Sequence, residues 1–368
     1  MTARYEFWLL APDADYALDY LETPRRFTAV RALNAVGQFE LVLPGSWDYR
    51  LARLDSRLAV WRRPSGGRRY LEAAFLVRSV ERVWDNGTET VVLRGPDYND
   101  LLASRIVAYA TGSSQAEKSA AADNLMRAVV RENLGASATD SDRDLSAVGF
   151  SVEADTGSAS SLDMAFAWKN VLRTLQDVAR AAWEKNSERI YFGVVPLGSG
   201  WSSRFQVRVG WWNADHRYPG GAHGPLMFGP GFGNVSSVRV GLDRRKEFNH
   251  VYAGGRGEED ERIVVEAETS SLVDDSPLNR RESFFDGRSY DTTARLTAAA
   301  NARLREGRPL RIAEARVDKP SRDYGVSWWF GDLLTVTYGD ESFDAIACKV
   351  RLDWADGEER LQVWLEEI

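Results

Sequence analysis

Apolar and polar positions alternate along much of the first 106 residues. Phe39, Leu41 and Leu43 interleave with Glu40 and Val42, the period-two signature of a strand with one buried face. The stretches FTAVRAL (27–33) and QFELVLP (38–44) flank a short Asn-Ala-Val-Gly turn. LAVW (58–61), YLEAAFLVRSV (70–80) and TETVVLRG (88–95) follow, each near strand length. PDYNDLLASRIV (96–107) reads as a short helical turn leading away.

The period then changes. Ser113 or Ser114 is positioned to cap a helix running to Leu134, with Gly135 as its stop and Ala122, Leu125 and Val129 on one face. Residues 136–161, rich in Ser, Ala, Asp and Thr, read as an exposed loop. Trp168, Val171, Leu172, Leu175, Val178, Ala179, Ala182 and Trp183 form the buried stripe of a second helix. IYFGVV (190–195) and RFQVRVGWW (204–212) read as paired strands. Residues 212–234 contain six Gly and three Pro with His216 and His223, a long loop of the kind that often carries function. Strands NVSSVRVGLD (234–243), EFNHVYAGG (247–255) and ERIVVEAE (261–268) follow, then a helix over 291–306 stopped by Gly307 and Pro309.

Two segments look like one unit used twice. FLVRSVERVWDNGTETVVLRG (75–95) and AIACKVRLDWADGEERLQVWLEE (345–367) align Val80 with Val350, Trp84 with Trp354 and Asn86-Gly87 with Asp356-Gly357. Asn-Gly and Asp-Gly favour the positive φ angles of tight hairpins. Each unit follows a strand that starts at an Asp, Asp55 or Asp332. The expected fold is therefore β-rich α+β in three parts. Residues 1–106 are a first barrel-like domain, 107–240 a mixed α+β insert with two helices and a Gly-rich loop, and 241–368 a second barrel-like domain with one helix. The expected barrel-core equivalents are Val60, Val80, Trp84 and Val92, matched by Val336, Val350, Trp354 and Val363.

The chain has 368 residues and a net charge of −7, and no apolar run approaches the roughly 20 residues of a bilayer span. Its only Cys, Cys348, has no internal disulfide partner and reads as a small core residue. Arg62, Arg63, Arg68 and Arg69 surround Gly66-Gly67, and a solvated loop tip accounts for them better than a phosphate site. The acidic balance argues against electrostatic gripping of nucleic acid.

Catalytic motifs are absent: no His-Glu-x-x-His, no Gly-x-Ser-x-Gly, no P-loop and no Cys-x-x-Cys. Asp140, Asp142 and Asp144 have calcium-loop spacing, but Leu145 and Ser151 stand where Gly and Glu are needed. Gly255-Arg256-Gly257 lacks the third Gly of a dinucleotide loop and suits a hairpin turn. His216 and His223, beside Asp215, lack common zinc spacing. Glu258, Glu259, Asp260 and Glu261, with Asp274 and Asp275, supply carboxylates but no evident facing pair. Trp211-Trp212 and Trp328-Trp329 could supply a sugar-stacking platform, with one Trp of each pair turned inward. No cofactor, metal or catalytic residue is assigned.

Several motifs are similar to those of phage tail-tip and baseplate hub proteins. LNAVGQFELVLP and VVLRGPDYNDLLASRIV resemble the opening part of siphovirus tail hubs. FNHVYAGGRGEEDER, SPLNRRESFFDGR, TTARLTAAANARL and DYGVSWWFGDLLTVTY resemble their second half. The resemblance implies two tail-tube-like barrels per subunit and a non-enzymatic homotrimeric ring at the distal end of a virion tail. That ring joins a sixfold tube to threefold tip parts around the DNA exit channel. It further implies contacts with a distal tail protein, a tape measure protein and fibre or receptor-binding proteins, synthesis in the host cytoplasm, and transient DNA passage without specific binding. Ending at Leu365-Glu366-Glu367-Ile368, the chain would be a minimal hub without a lytic domain. Asp215, His216, His223, Glu258, Glu259 and Asp260 are the expected interface or channel positions. Two rival readings stay open: a carbohydrate-binding or carbohydrate-active β protein using the Trp pairs, and the hub of a contractile injection machine.

Overall fold

The computed structural model describes residues 3–109, 116–138, 140–166, 168–258, 261–271, 276, 278–318 and 324–368. They form two compact units, Met1–Val238 with Glu314–Ile368, and Arg239–Ala313.

In the first unit, β1 (Arg4–Leu10), β2 (Ala17–Tyr20), β5 (Arg57–Arg63) and β6 (Tyr70–Leu76) make a sheet of order β2-β1-β5-β6. A second, ten-stranded sheet contains β3 (Arg26–Ala32), β4 (Gln38–Pro44), β7 (Ser79–Asp85) and β8 (Thr88–Pro96). It also takes in β14 (Met227–Phe228), β15 (Ser237–Asp243), β19 (Leu310–Val317), β20 (Leu333–Tyr338), β21 (Glu341–Ala355) and β22 (Glu358–Glu367). Its path is β15-β19-β22-β21-β3-β4-β8-β7, with β20 paired to β21 and β14 to β20.

The two sheets face each other across an aromatic core. Phe7 meets Phe27 at 5.0 Å between ring centroids, and Phe39 meets Phe75 at 5.0 Å. The alternation in β4 works as its pattern predicts, with Phe39, Leu41 and Leu43 buried. Among the described residues the sheets are not closed, so the two expected tail-tube-like barrels do not appear as closed sheets. Both edges of β3 are taken, one by β4 and the other by β21 from Lys349↔Ala32 to Ala355↔Arg26, so the sheet runs on past it.

The middle region packs on the outside of β6. α1 (Asp100–Ala103), α2 (Ala122–Leu134) and α3 (Val171–Asn186) share a core with β10 (Phe150–Val152), β11 (Ser161–Phe166), β12 (Ile190–Leu197) and β13 (Ser202–Val209). Leu125, Met126, Val129 and Val130 of α2 are fully buried there with Leu175 and Val178 of α3. Residues 116–121, expected to be helical, instead form β9 (Ala116–Ala121), paired antiparallel to β11. Ser113 and Ser114 lie outside the described residues. The second helix starts later than its apolar stripe suggests: Asn170 caps it by accepting from the Arg173 amide at 3.1 Å. Trp168 therefore lies before the helix, Trp183 lies on its outer side, and both are exposed and not part of the stripe.

In the second unit, β16 (His250–Gly254) lies between β17 (Val264–Glu268), antiparallel, and β18 (Glu282–Asp286), parallel. Leu296 and Ala300 of α4 (Thr293–Glu306) pack on Val251, Ala253 and Ala267. The chain leaves the first unit along β15 and returns along β19.

Candidate functional site

The two related hairpins have the same register. Trp84 faces Glu89 and Val80 faces Leu93; Trp354 faces Glu359 and Val350 faces Val363. Their turns match as well, with Asn86 at φ 46° and Gly87 at 80°, and Asp356 at 53° and Gly357 at 80°. Two successive positive φ angles define the primed turn that suits the strand twist.

The likeness extends past the hairpins. The eight-strand path through this sheet splits into β15-β19-β22-β21 and β3-β4-β8-β7, the same arrangement twice. β20 precedes and pairs with the first half of β21 as β5 precedes and pairs with β6. The register shift in β21 between Ala347 and Lys349 matches the break between β6 and β7. Ser236-Ser237-Val238-Arg239 enters β15 much as Thr28-Ala29-Val30-Arg31 runs along β3. That short echo was the sequence signal for the first strand of each module. The modules join at β21 and β3, and β15 and β7 are the ends of the path.

Cross-strand partners share a face, so the register sorts each predicted position. Val60, Val336, Val350 and Val363 are fully buried, and Val80 is half-buried. Val92 is buried on the opposite face of the sheet from its neighbours Val91 and Leu93, opposite Val42 and Glu81. Trp354 is half-buried against Tyr5 and Phe7, 6.1 and 5.9 Å away. Trp84 is 74% exposed, which corrects its placement in a core. Arg82, bonded to Glu89, takes the place of buried Leu352, so the apolar stripe stops short of Trp84.

The face of the ten-stranded sheet away from the aromatic core carries charged and polar side chains beside Val42 and Val92. Thr28 donates to Asp353 at 2.9 Å; Arg94 pairs with Glu40 at 2.8 Å and Glu81 at 2.7 Å; Arg351 pairs with Asp353 at 2.7 Å. The bond from Arg94 holds the Glu40 and Glu81 carboxyls below their usual range. The arginines named here lie beside carboxylates, across the strands for Arg94 and along β21 for Arg351.

One arginine read as part of a loop tip is buried. Arg62 is 2% exposed and donates twice to Glu359, at 2.6 and 2.9 Å. Tyr5 donates to the same carboxylate. Arg62 also donates to the Tyr70 hydroxyl and the Tyr324 carbonyl, each at 3.0 Å. Tyr70 donates to Glu72 at 2.6 Å, and Arg31 donates to Glu72 at 3.1 Å. The parity of Leu58, Val60 and Arg62 along β5 was the available signal that Arg62 points inward.

The Gly-rich loop is pinned along β20. The His216 amide donates to Leu333 at 2.7 Å, the Leu333 amide to Ala214 at 2.9 Å, and the Tyr218 amide to Thr335 Oγ1 at 2.9 Å. Asp215 is buried and held by Arg217 at 3.0 and 2.8 Å, so its carboxylate anchors the loop. His216 is buried and His223 exposed, their rings 5.3 Å apart. Glu258 is exposed in the second unit, while Glu259, Asp260, Asp274 and Asp275 lie outside the described residues. Asp140 and Asp144 accept backbone amides two residues on, from Asp142 and Ser146. Among the described residues no group of three or more His, Cys, Asp or Glu is placed to hold a metal ion. Trp212 and Trp329 meet at one open cleft of about 530 Å³ with Arg31, Glu72, His216 and His223. Trp328 is turned inward against Phe228 and Tyr324.

The fold is similar to that of solved tail proteins. The 43 kDa tail protein of prophage MuSo2 from Shewanella oneidensis aligns over 99% of this chain and 98% of its own, with TM-score 0.59 and 13% identity. Prophage tail protein gp18 from Listeria monocytogenes aligns over 98% and 94%, with TM-score 0.51 and 10% identity. A chain of the lidded Francisella PdpA–VgrG complex aligns over 99% of this chain but 52% of its own, with TM-score 0.52 and 7% identity. No curated protein sequence matches. The family model described as Siphovirus ReqiPepy6 Gp37-like protein matches residues 9–365, and the chain belongs to that family of phage tail proteins.

Proposed function

We propose that this tail protein is a structural, non-catalytic hub subunit, three copies of which close a ring of six four-strand modules at the distal end of the tail. The observation that carries the reading is the repeated strand order with β7 and β15 at its ends. Inside one chain, β21 of one module pairs with β3 of the next. Repeating that junction between copies pairs β7 with β15 of a neighbour, a head-to-tail contact that closes when the rotation allows. Glu81, Arg82 and Asp85 on β7 are charges of the kind that keep a lone edge strand from indiscriminate pairing.

In this ring the polar face of the long sheet lines the channel. Its paired charges offer phosphates no net attraction, which suits passage of DNA without retention. The ring's six modules would face a sixfold tube while its threefold symmetry faces the tip, with neighbouring tail, tape-measure and fibre proteins as partners. The PdpA–VgrG likeness is one of fold, and family membership favours the phage tail.

Cysteines placed by analogy with the Leu352↔Ala29 pair test the junction. Arg82→Cys with Ser237→Cys, in a Cys348→Ala background, should give on oxidation a covalent ladder ending at the trimer. Electron microscopy of the assembled tail should reveal a threefold ring. A different copy number, or a ring in which β7 is unpaired, rejects the reading.

A further inference from the structure

The ring leaves the cleft beside Trp212 and Trp329 without a role. Its volume, about 530 Å³, is that of a site for one small organic molecule. Trp212, Trp329 and Phe330 line it and are all half-buried, so apolar ring faces reach its opening. These walls are set by their surroundings. Gly331 has φ +87°, and a Cβ there would come within 2.3 Å of the Trp212 ring. Behind Trp329, Trp328 is buried edge-on to Tyr324 at 5.1 Å.

Planar polar groups surround the aromatic faces. Arg31 lies over the Phe330 ring at 4.8 Å and gives Nη1 to both the carbonyl and the carboxylate of Glu72, at 2.6 and 3.1 Å. His216 gives Nδ1–H to the Gly224 carbonyl at 2.7 Å, and its Nε2 lies 3.7 Å from Asp332. Asn213 gives its amide N–H to Asp332 at 2.6 Å, while exposed His223 stands at the opening. Each charge is thus met within this chain: Arg31 by the Glu72 carboxylate, and Asp332 by N–H donors of Asn213, Ala214 and Trp329.

A cleft with compensated charges recruits no ion. Flat apolar walls rimmed by donors and acceptors suit a neutral polyhydroxylated ring, with C–H faces for the indoles and hydroxyls for the rim. We propose that this cleft binds a short neutral saccharide, one sugar ring stacked on Trp329 and Trp212 with its hydroxyls toward Arg31, Asn213 and His223. The site lies within one chain and stands or falls separately from the ring.

The intact protein is titrated with maltose, lactose and N,N′-diacetylchitobiose, followed by calorimetry and by indole N–H signals in NMR. Saturable binding of at least one sugar is expected, insensitive to added salt. Trp329→Ala should weaken it about tenfold or more. His223→Ala, at an exposed position, should weaken it without threatening the fold, and Trp84→Ala should leave it unchanged. Absence of saturable binding by all three sugars overturns the proposal. So does binding that survives both Trp329→Ala and His223→Ala, or competition by inorganic phosphate, which would assign the cleft to anions.

Discussion

Arg62 on β5 and Glu359 on β22, 297 residues apart in the chain, form a two-pronged ion pair from which water is excluded. The pair ties the sheet that begins the chain to the hairpin that ends it. Removing one partner strands a buried charge, so Glu359→Met and Arg62→Met should each cost roughly 3–5 kcal/mol. The double replacement Arg62→Met with Glu359→Met should recover much of that loss. Denaturant unfolding of the three variants measures it; fully additive losses would refute the coupling.

Two carboxyls should give stability opposite dependences on pH. Burial works against the charge of Asp123, but Arg127, Thr156 and the amides of Ser158 and Ala159 outweigh it and hold its pKa at about 2. Its folded value lies below the unfolded one, so its contribution is present above about pH 4 and is lost as pH falls toward 2. Burial pushes Asp97 up to about 6. Its folded value lies above the unfolded one, so stability falls as pH rises from about 4 to 6 and is level beyond. Asp97→Asn should remove the second slope and Asp123→Asn the first, read from unfolding free energies across pH.

Gly95 marks a place where the first module has no room. A Cβ there would lie 1.8 Å from the Leu76 carbonyl oxygen, at the crossing of β8 over the end of β6. The equivalent position in the second module carries Leu365. Gly95→Ala should therefore destabilise by several kcal/mol, on the order of 3 or more, through overpacking. A melting temperature within a few degrees of the parent would contradict the tight crossing.

Cys348 should behave as an unreactive thiol. It sits at the register shift of β21, packed near Leu333 and Ile346 and donating to the Trp364 carbonyl at 3.4 Å. Burial, with Glu366 adding to it, pushes its pKa up to about 12. Alkylation of the folded protein at pH 8 should be far slower than after denaturation, since the thiolate is the nucleophile. Equal rates would show that the thiol is open.

The repeated hairpins were legible because their signals are local. Asn-Gly and Asp-Gly select the turn, and the alternation around Val80 and Val350 selects the face. The join between modules was not legible, because Thr28 and Asp353 meet across 325 positions and nothing near either one names its partner. Residues 116–121 misled for a related reason. Ala, Glu and Lys favour a helix, but pairing with β11 overrides that propensity. The cleft was half legible: the Trp pairs stood out, but only the course of the loop along β20 brings Trp212 to Trp329.

The junction of β21 with β3 also sets a timetable for biosynthesis. β3 leaves the ribosome long before its partner β21. Until β21 follows, β3 offers an open edge beside apolar Phe27 and Ala29. Contacts so distant in sequence form slowly, and exposed edges invite aggregation. A chain stopped before residue 341 should therefore be recovered mostly as insoluble protein, while the same chain supplied with the 341–368 hairpin as a separate peptide should regain solubility.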